Sequence, residues 1–268
     1  MSAKYTVIGG NGFIGGEIVN LLKENGENVN VPARDCEKIF NSDLGIVIFA
    51  AGNGDCVQRP FDVFNSNTRL LADILERAEF TQLVYISSTR VYMEQESSSE
   101  DANVTICNND KRRLFNLTKL VSEELCLRSD KNTVIVRPSN VYGTAINSKL
   151  FLPSITRDAV NKKTVNMYVT PSYSKDYVSV KDVAEIIYKI SLGCRQKIYN
   201  IASGINTAAQ EIADLLQLYS HCNVVWHPGC RDDNFPITDI SSIKDEFGFE
   251  PRNLSDDIYS MIISLKNC

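Results

Sequence analysis

The residues whose type and spacing most directly suggest chemistry are Gly9, Gly12 and Gly15, three apart in the stretch KYTVIGGNGFIGG. Glycines at this spacing divide the work of a phosphate cradle: one permits a tight turn, one lets the backbone approach a pyrophosphate, and one lets a helix pack on a strand. The residues around them, Asn11, Phe13 and Ile14, would line that cradle. A helix that starts here offers first-turn N–H groups with no partner inside the helix, and an anion can take them. A lone glycine triplet also fits an ordinary strand–turn–helix, so the flanking elements decide. A metal centre is the competing use of reactive side chains. The eight cysteines form no C-x-x-C pair, and the only histidines are His221 and His227. Their one local cluster, with Cys222 and Cys230, fits no common zinc spacing, so no metal is expected.

The elements that must position the cradle are readable from periodicity. Tyr5 to Ile8 has the composition of a buried strand, and Phe13, Ile14, Ile18, Val19, Leu21 and Leu22 recur at helical spacing. Gly26 is a stop signal, followed by a second strand over 27–31. Only a dozen residues separate it from the apolar run 44–51, so the second crossover must be short or irregular. That third strand ends in Ala50, Ala51 and Gly52, small residues where open α/β sheets admit ligands. A long helix is expected over 61–80, with Val63, Phe64, Leu70, Leu71, Ile74 and Leu75 available to one face. A fourth strand over 83–87 runs into the hydroxyl-rich Ser88, Thr89 and Tyr92. Residues 94–110 read as a mobile polar loop, and 111–128 as a helix packed through Leu114, Leu117, Val121 and Leu125. A fifth strand covers 133–136. This alternation predicts an α/β fold, a doubly wound parallel sheet of Rossmann type. Residues 1–145 form its dinucleotide-binding part, and 146–268 a smaller, mainly substrate-binding α/β region from which 177–201 return to the sheet.

Bulk composition narrows the partners. A net charge of −5 argues against nucleic acid, whose binding surfaces are basic. No apolar run approaches the length of a membrane span, and the start MSAKYTVIGG lacks a leader pattern, so a cytoplasmic protein with no membrane partner is expected.

Several stretches, in order, resemble the extended short-chain dehydrogenase/reductase family of nucleotide-sugar epimerases, dehydratases and reductases. They are GGNGFIG, IVIFAAG, LVYISSTRVY, FNLTKLVSEEL, VRPSNVYG, SKDYVSVKDVAEII and YNIASG, with CRDDNFPITDISSIKDEFGFEP beyond them. The resemblance covers almost the whole chain. It implies that Ser88 hydrogen-bonds the reacting oxygen, whereas Ser87 suits a capping role better. It also implies that Lys119 holds the nicotinamide ribose and favours a neighbouring phenolate. Dehydratases of the family carry an acidic pair after the hydroxyl. Thr89 and Arg90 stand there in this chain, which disfavours a dehydratase.

The family's catalytic tyrosine, four residues before the lysine, is replaced by Phe115. Phenylalanine has no exchangeable proton. Three origins are open: a substitution made to trap bound substrate, a natural variant in which Ser88, Tyr92, Tyr142 or another group supplies the proton, or a non-catalytic dinucleotide-binding protein. The first is favoured, because every other part of the motif set is in place, and it makes this chain an impaired form of the enzyme.

Cofactor and substrate expectations follow from the same resemblance. NAD-using members end the second strand in an acid that binds the ribose hydroxyls. That place falls at Ala33, followed by Arg34, which suits the 2′-phosphate of NADP; Asp35 and Glu37 are close enough to keep NAD open. Asn140, Val141 and Tyr142 stand where the family's loop meets nicotinamide and sugar, with Thr89 beside Ser88. Arg231 matches an arginine that contacts the nucleotide diphosphate, and Lys175 with Asp176 reads as an architectural contact. The expected partner is thus a nucleotide-diphosphate sugar. The expected reaction is NADP-dependent reduction of a 4-keto sugar, with an NAD-dependent 4-epimerase as the alternative. Relatives pair through the helix of the lysine motif and the one before it, so a homodimer is expected.

Overall fold

In the computed structural model, residues 2–34, 36–144, 148, 150–227 and 233–267 are described. The chain opens with β1 (Lys4–Ile8), α1 (Phe13–Glu24) and β2 (Asn28–Asn30). A 3₁₀ turn over Glu37–Asn41 is all that separates β2 from β3 (Ile46–Phe49), as the short spacing requires. Next come α2 (Pro60–Phe64) and α3 (Leu70–Arg77), joined without a break by a π-helical turn over Asn65–Arg69. Then follow β4 (Gln82–Ile86), α4 (Arg113–Arg128) and β5 (Thr133–Pro138).

Five of these strands and one later strand form a wholly parallel sheet. After β6 (Asn140–Tyr142), α5 (Phe151–Asn161), β7 (Thr164–Met167), β8 (Ser174–Ser179) and α6 (Val180–Leu192), the chain enters β9 (Ile198–Ile201). The sheet order is β2-β1-β3-β4-β5-β9, with register pairs such as Val7 to Ile48 and Val136 to Tyr199. Strand order reverses between β1 and β3, which makes the carboxyl ends of those two strands the natural ligand crevice. The rest of the chain comprises β10 (Asn206–Ala208), α7 (Ala209–Ser220), β11 (Asn223–Trp226), α8 (Ser241–Phe247) and α9 (Leu254–Lys266). Strands β10, β8 and β6 form a small mixed sheet, and β11 pairs with β7. Tyr177 therefore lies in the small sheet, and the return to the large one is made by β9.

Both faces of the parallel sheet are covered, as a parallel sheet demands. On one face Ile18, Val19 and Leu22 of α1 meet Val183, Ile187 and Ile190 of α6, and Ile240, Ile243 and Phe249 join them. On the other, Leu71, Ile74 and Leu75 of α3 pack with Phe49, Tyr85, Ile135 and Cys126. A separate core holds Leu152, Ile212, Leu216, Ile258 and Cys222. Among the described residues no helix is long and apolar enough to cross a membrane.

The packing of three segments differs from the periodicity reading. Leu117, Val121 and Leu125 of α4 face outward, as does Phe64. The inward face of α4 carries Asn116, Thr118, Lys119, Ser122, Glu123 and Cys126, all buried. Residues 94–110 are not a free loop either. The buried Ser98 hydroxyl donates to the Ile237 carbonyl at 2.7 Å, and Glu100 accepts from the Asn200 N–H at 3.0 Å.

The cradle's packing singles out two glycines. Gly9 has φ of +82°, and a Cβ there would lie 2.6 Å from the Ala51 nitrogen. At Gly15 a Cβ would lie 2.3 Å from the Gly9 carbonyl oxygen, whereas at Gly16 the nearest neighbour is 3.6 Å away. Gly15→Ala is expected to cost about 1–3 kcal/mol in urea unfolding. Gly16→Ala should gain up to about 1 kcal/mol from helix propensity. Equal effects from the two would show that α1 does not press on the turn.

Candidate functional site

The crevice at the switch point opens into a cavity of about 340 Å³. Ile14 comes to it from α1, Ala50, Ala51 and Gly52 from the end of β3, and Ser88 and Thr89 from beyond β4. Phe115 and Lys119 reach it from α4, and Asn140 and Val141 from β6. Residues separated by more than a hundred positions therefore meet in one space, because parallel strands deliver all their carboxyl ends to the same edge.

Lys119 is the most constrained member. It is buried, its Nζ donates to the Ile86 carbonyl at 2.8 Å, and the Tyr85 ring centroid lies 5.0 Å from it. Burial lowers its pKa to about 8, opposed by the nearby Glu123 carboxylate. Glu123 itself is committed elsewhere: both its oxygens accept from Arg137, at 3.0 and 2.6 Å, and the Ser87 hydroxyl donates to it. Arg137 also donates to the Tyr92 hydroxyl at 2.5 Å, and that hydroxyl donates to Asn200 at 3.0 Å. Arg137 is thus structural.

The two adjacent serines have different partners. Ser88 is the cap, its Oγ accepting from the Arg90 N–H at 3.1 Å, while its own proton is left for donation into the cavity. Ser87 is absorbed by Glu123. Phe115 is partly buried, between the guanidinium of Arg112 at 4.7 Å and Lys119 Nζ at 5.7 Å from its ring centre. Arg90, Arg112 and Lys175 add positive charge to the lining, and no Asp or Glu lines it among the described residues. Arg90 is held by Asp110 at 2.7 Å. Asp176 is an architectural knot, accepting from Ser139, Ser203, Gly204 and Ile205.

Other expected residues lie elsewhere. Tyr142 does not line this cavity: its ring is buried in the second core, its hydroxyl donates to Asp257 at 2.8 Å, and it borders a neighbouring cavity of about 560 Å³. Asn11, Gly12 and Phe13 border that second space as well, on the other side of the turn from Ile14. Arg34 is exposed just beyond β2. Arg231 and Asp35 lie outside the described residues. Sequence reasoning missed Asn67, which is fully buried in the π-helical turn. Its side chain accepts from the Asn53 N–H at 2.8 Å and donates to the Asn53 carbonyl at 3.2 Å and to Thr118 at 3.0 Å. It thereby pins the loop after Gly52 to α4. An asparagine inside an apolar helix was its one signal.

A dinucleotide fits the residues present. Gly12 caps α1 with no side-chain partner, so the first-turn N–H groups remain for a phosphate, and Gly9 and Gly15 leave no room for a Cβ. The model of the NAD-dependent epimerase/dehydratase family matches residues 5–202. The chain belongs to that family, within the extended short-chain dehydrogenase/reductases. A curated relative is the GDP-6-deoxy-D-talose 4-dehydrogenase of Aggregatibacter actinomycetemcomitans, 26% identical over 251 residues that cover 84% of this chain and 81% of the relative. Among solved structures, MoeE5 in complex with UDP-glucuronic acid and NAD has a TM-score of 0.83 at 17% identity, covering 98% of this chain and 99% of its own. The UDP-glucose 4-epimerase of Thermotoga maritima with UDP-glucose has a TM-score of 0.79 at 18% identity, covering 98% and 99%. At such identities these two likenesses speak for the fold.

A lysine whose pKa falls on folding destabilises the folded chain while the unfolded chain still holds the proton. The cost is complete below about pH 8, shrinks as pH rises, and vanishes above the ordinary lysine value of 10.5. Lys119→Met should therefore stabilise the ligand-free protein at pH 7, by up to about 3 kcal/mol, with the gain fading toward pH 10. Chemical denaturation at several pH values measures it; a loss of stability at pH 7 would contradict the burial cost.

Proposed function

We propose that the protein reduces a 4-keto nucleotide sugar with NADP as cofactor, hydride transfer taking place at C4 of the sugar. The observation that carries this reading is the meeting of Ser88, Phe115 and Lys119 in one cavity with Gly52 and Asn140. The name of the similar dehydrogenase, which acts at a sugar C4, supports the position of attack. The bound dinucleotide supplies the hydride. The first turn of α1 would hold its pyrophosphate, Ala50 to Gly52 its backbone side, and Lys119 its nicotinamide ribose. Ser88 would donate its hydroxyl proton in a hydrogen bond to the reacting oxygen, with Thr89 and Asn140 on the sugar. The cations Arg90, Arg112 and Lys175, together with Arg231, suit a nucleotide diphosphate. Arg90 stands where a dehydratase would need an acid, and it is ion-paired with Asp110 at 2.7 Å. Phe115 lowers turnover, because the proton relay of the family is cut at that place.

The exposed Arg34 and the lack of an acid at Ala33 favour NADP over NAD. Arg34→Ala is expected to weaken NADP binding about tenfold, a loss of ~1.4 kcal/mol, and to leave NAD unchanged. Tighter binding of NAD than of NADP by the intact chain would overturn the cofactor assignment. With a GDP-4-keto-6-deoxyhexose, Phe115→Tyr should consume NADPH in step with the alcohol formed and at least a hundredfold faster than the Phe115 chain, a typical contribution of general acid catalysis. Interconversion of two sugar nucleotides with no net change in reduced nicotinamide would instead identify a 4-epimerase.

We also propose a homodimer joined through α2 and α4. Phe61 and Phe64 of α2 and Leu117 and Val121 of α4 are exposed, at 80%, 48%, 41% and 51%, and the two helices are in contact. Light scattering should give twice the chain mass, and Phe64→Arg with Val121→Arg should give the single chain. A chain that is already single without these changes would refute the pairing.

A further inference from the structure

We propose that in this Phe115 chain Lys119 itself is the acid that protonates the reacting oxygen. The inference rests on the reading of the cavity as the site of carbonyl reduction, and deepens it.

Removing the tyrosine proton leaves a need for another, and the described lining contains no tyrosine, histidine, cysteine, aspartate or glutamate. The two tyrosines that the sequence offers as proton sources are committed elsewhere, and Tyr85 is buried in the core with Phe49 and Leu71 and does not line the cavity. Tyr92 is buried and bonded to Arg137 and Asn200, and Tyr142 is bonded to Asp257 beside the other cavity. Arg90 and Arg112 do not release a proton near neutrality. Ser88 can pass a proton along but is too weak an acid to be its source.

Two amines remain. Lys175 Nζ lies 4.8 Å from the Phe235 ring centre and 4.9 Å from that of Tyr173, a setting that favours the retained cation. Lys119 is different. It is buried, and its Nζ has one hydrogen bond, to the Ile86 carbonyl, so two of its three protons remain for other partners among the described residues. The charged groups around it are Glu123 on its own helix, neutralised by Arg137 of β5, and the cavity cations Arg90, Arg112 and Lys175; the Tyr85 ring from β4 and the Phe115 ring complete its surroundings. Burial withdraws water from the ammonium, and the one nearby carboxylate on its helix, Glu123, is committed to Arg137, so the ammonium is a readier acid than a lysine in water. Lys119, Ser88 and Phe115 line the same cavity, with Lys119 Nζ 5.7 Å from the Phe115 ring centre.

The step balances. As the hydride and its two electrons reach the carbonyl carbon, the π electrons pass to oxygen, which takes a proton from the Lys119 ammonium directly or through the Ser88 hydroxyl. The amine left behind regains a proton from solvent.

Two measurements on the full chain test this. The first is nuclear magnetic resonance of lysine side chains labelled at Cε, with Lys119→Arg to assign the signal; Lys119 should titrate near pH 8, and titration at the ordinary lysine value would overturn the proposal. The second is single-turnover NADPH oxidation with a GDP-4-keto-6-deoxyhexose. The Phe115 chain should react slowly, at a rate that is flat below pH 8 and falls tenfold per pH unit above it. Lys119→Arg keeps the charge but holds its proton, so at saturating NADPH it should lose at least a hundredfold in rate, and the rate that remains should no longer fall between pH 8 and 10. Retained turnover in Lys119→Arg, or a rate independent of pH up to 10 in the chain that keeps Lys119, would contradict the assignment. Turnover by Phe115→Tyr with none by the Phe115 chain would sink this inference alone. Silence from both forms would sink the carbonyl-reduction reading beneath it.

Discussion

Helix α4 is fastened to the sheet by the buried pair of Glu123 with Arg137, two charges whose side chains are about 95% withdrawn from solvent. Such a pair gains little over apolar packing, but losing one partner strands the other and typically costs about 3–5 kcal/mol. The pair therefore sets orientation. It turns the polar side of α4 inward, and that rotation carries Lys119 into the cavity while leaving Leu117 and Val121 outside. Most of the buried polar groups on this side have partners, the Asn116 side-chain oxygen being the exception. Ser122 donates to the Asn67 carbonyl, Thr68 to the Thr118 carbonyl, and Asn67 to Thr118. A helix held this way has little freedom to rotate, since any turn about its axis would leave several buried donors unpaired.

The same economy joins the two halves of the site. At the switch point Gly9 and Gly15 bring α1, β1 and β3 to backbone contact, which places the cradle beside Ala50 and Ala51. Opposite, Asp176 gathers Ser139 from the end of β5 and the turn at Ser203 to Ile205. Asn140 donates to the Asp176 carbonyl, so the knot also holds the strand that walls the cavity. Beneath both, Tyr92 and Asn200 extend the Arg137 network to Ser98 and Asp239. The glycine turn is thus fixed by close backbone packing, and Lys119 and Asn140 by buried hydrogen bonds.

Much of this frame was legible in the residues. Glycine spacing, the apolar strands and the helical rhythm of Phe13 to Leu22 led to the parallel sheet, because backbone geometry and burial act locally there. The side of α4 that faces the sheet was not legible. Its leucines and valine do recur at helical spacing, but periodicity marks a stripe without saying what the stripe meets. Here the core side is polar and is satisfied by Arg137, Asn67 and Ile86, partners far off in sequence. The partner of Tyr142 was hidden for the same reason: Asp257, more than a hundred residues later, accepts from its hydroxyl. Ser87 and Ser88 are adjacent and chemically identical, so only the position of Glu123 tells them apart. Asn67 gave a weak sign, a polar residue amid Val63, Leu70 and Leu71, and the polar loop 94–110 concealed tethers that composition does not reveal.

The central claim is that the glycine turn, Ser88, Phe115 and Lys119 act on one bound dinucleotide and one nucleotide sugar. The most direct measurement is a crystal structure of the chain with NADP and a nucleotide sugar bound. The pyrophosphate is expected on the N–H groups at the start of α1, the nicotinamide ribose within hydrogen-bond reach of Lys119 Nζ, and the sugar C4 facing Ser88 beside the Phe115 ring. A dinucleotide bound elsewhere, or a sugar lodged in the cavity beside Tyr142 and Asp257, would contradict it.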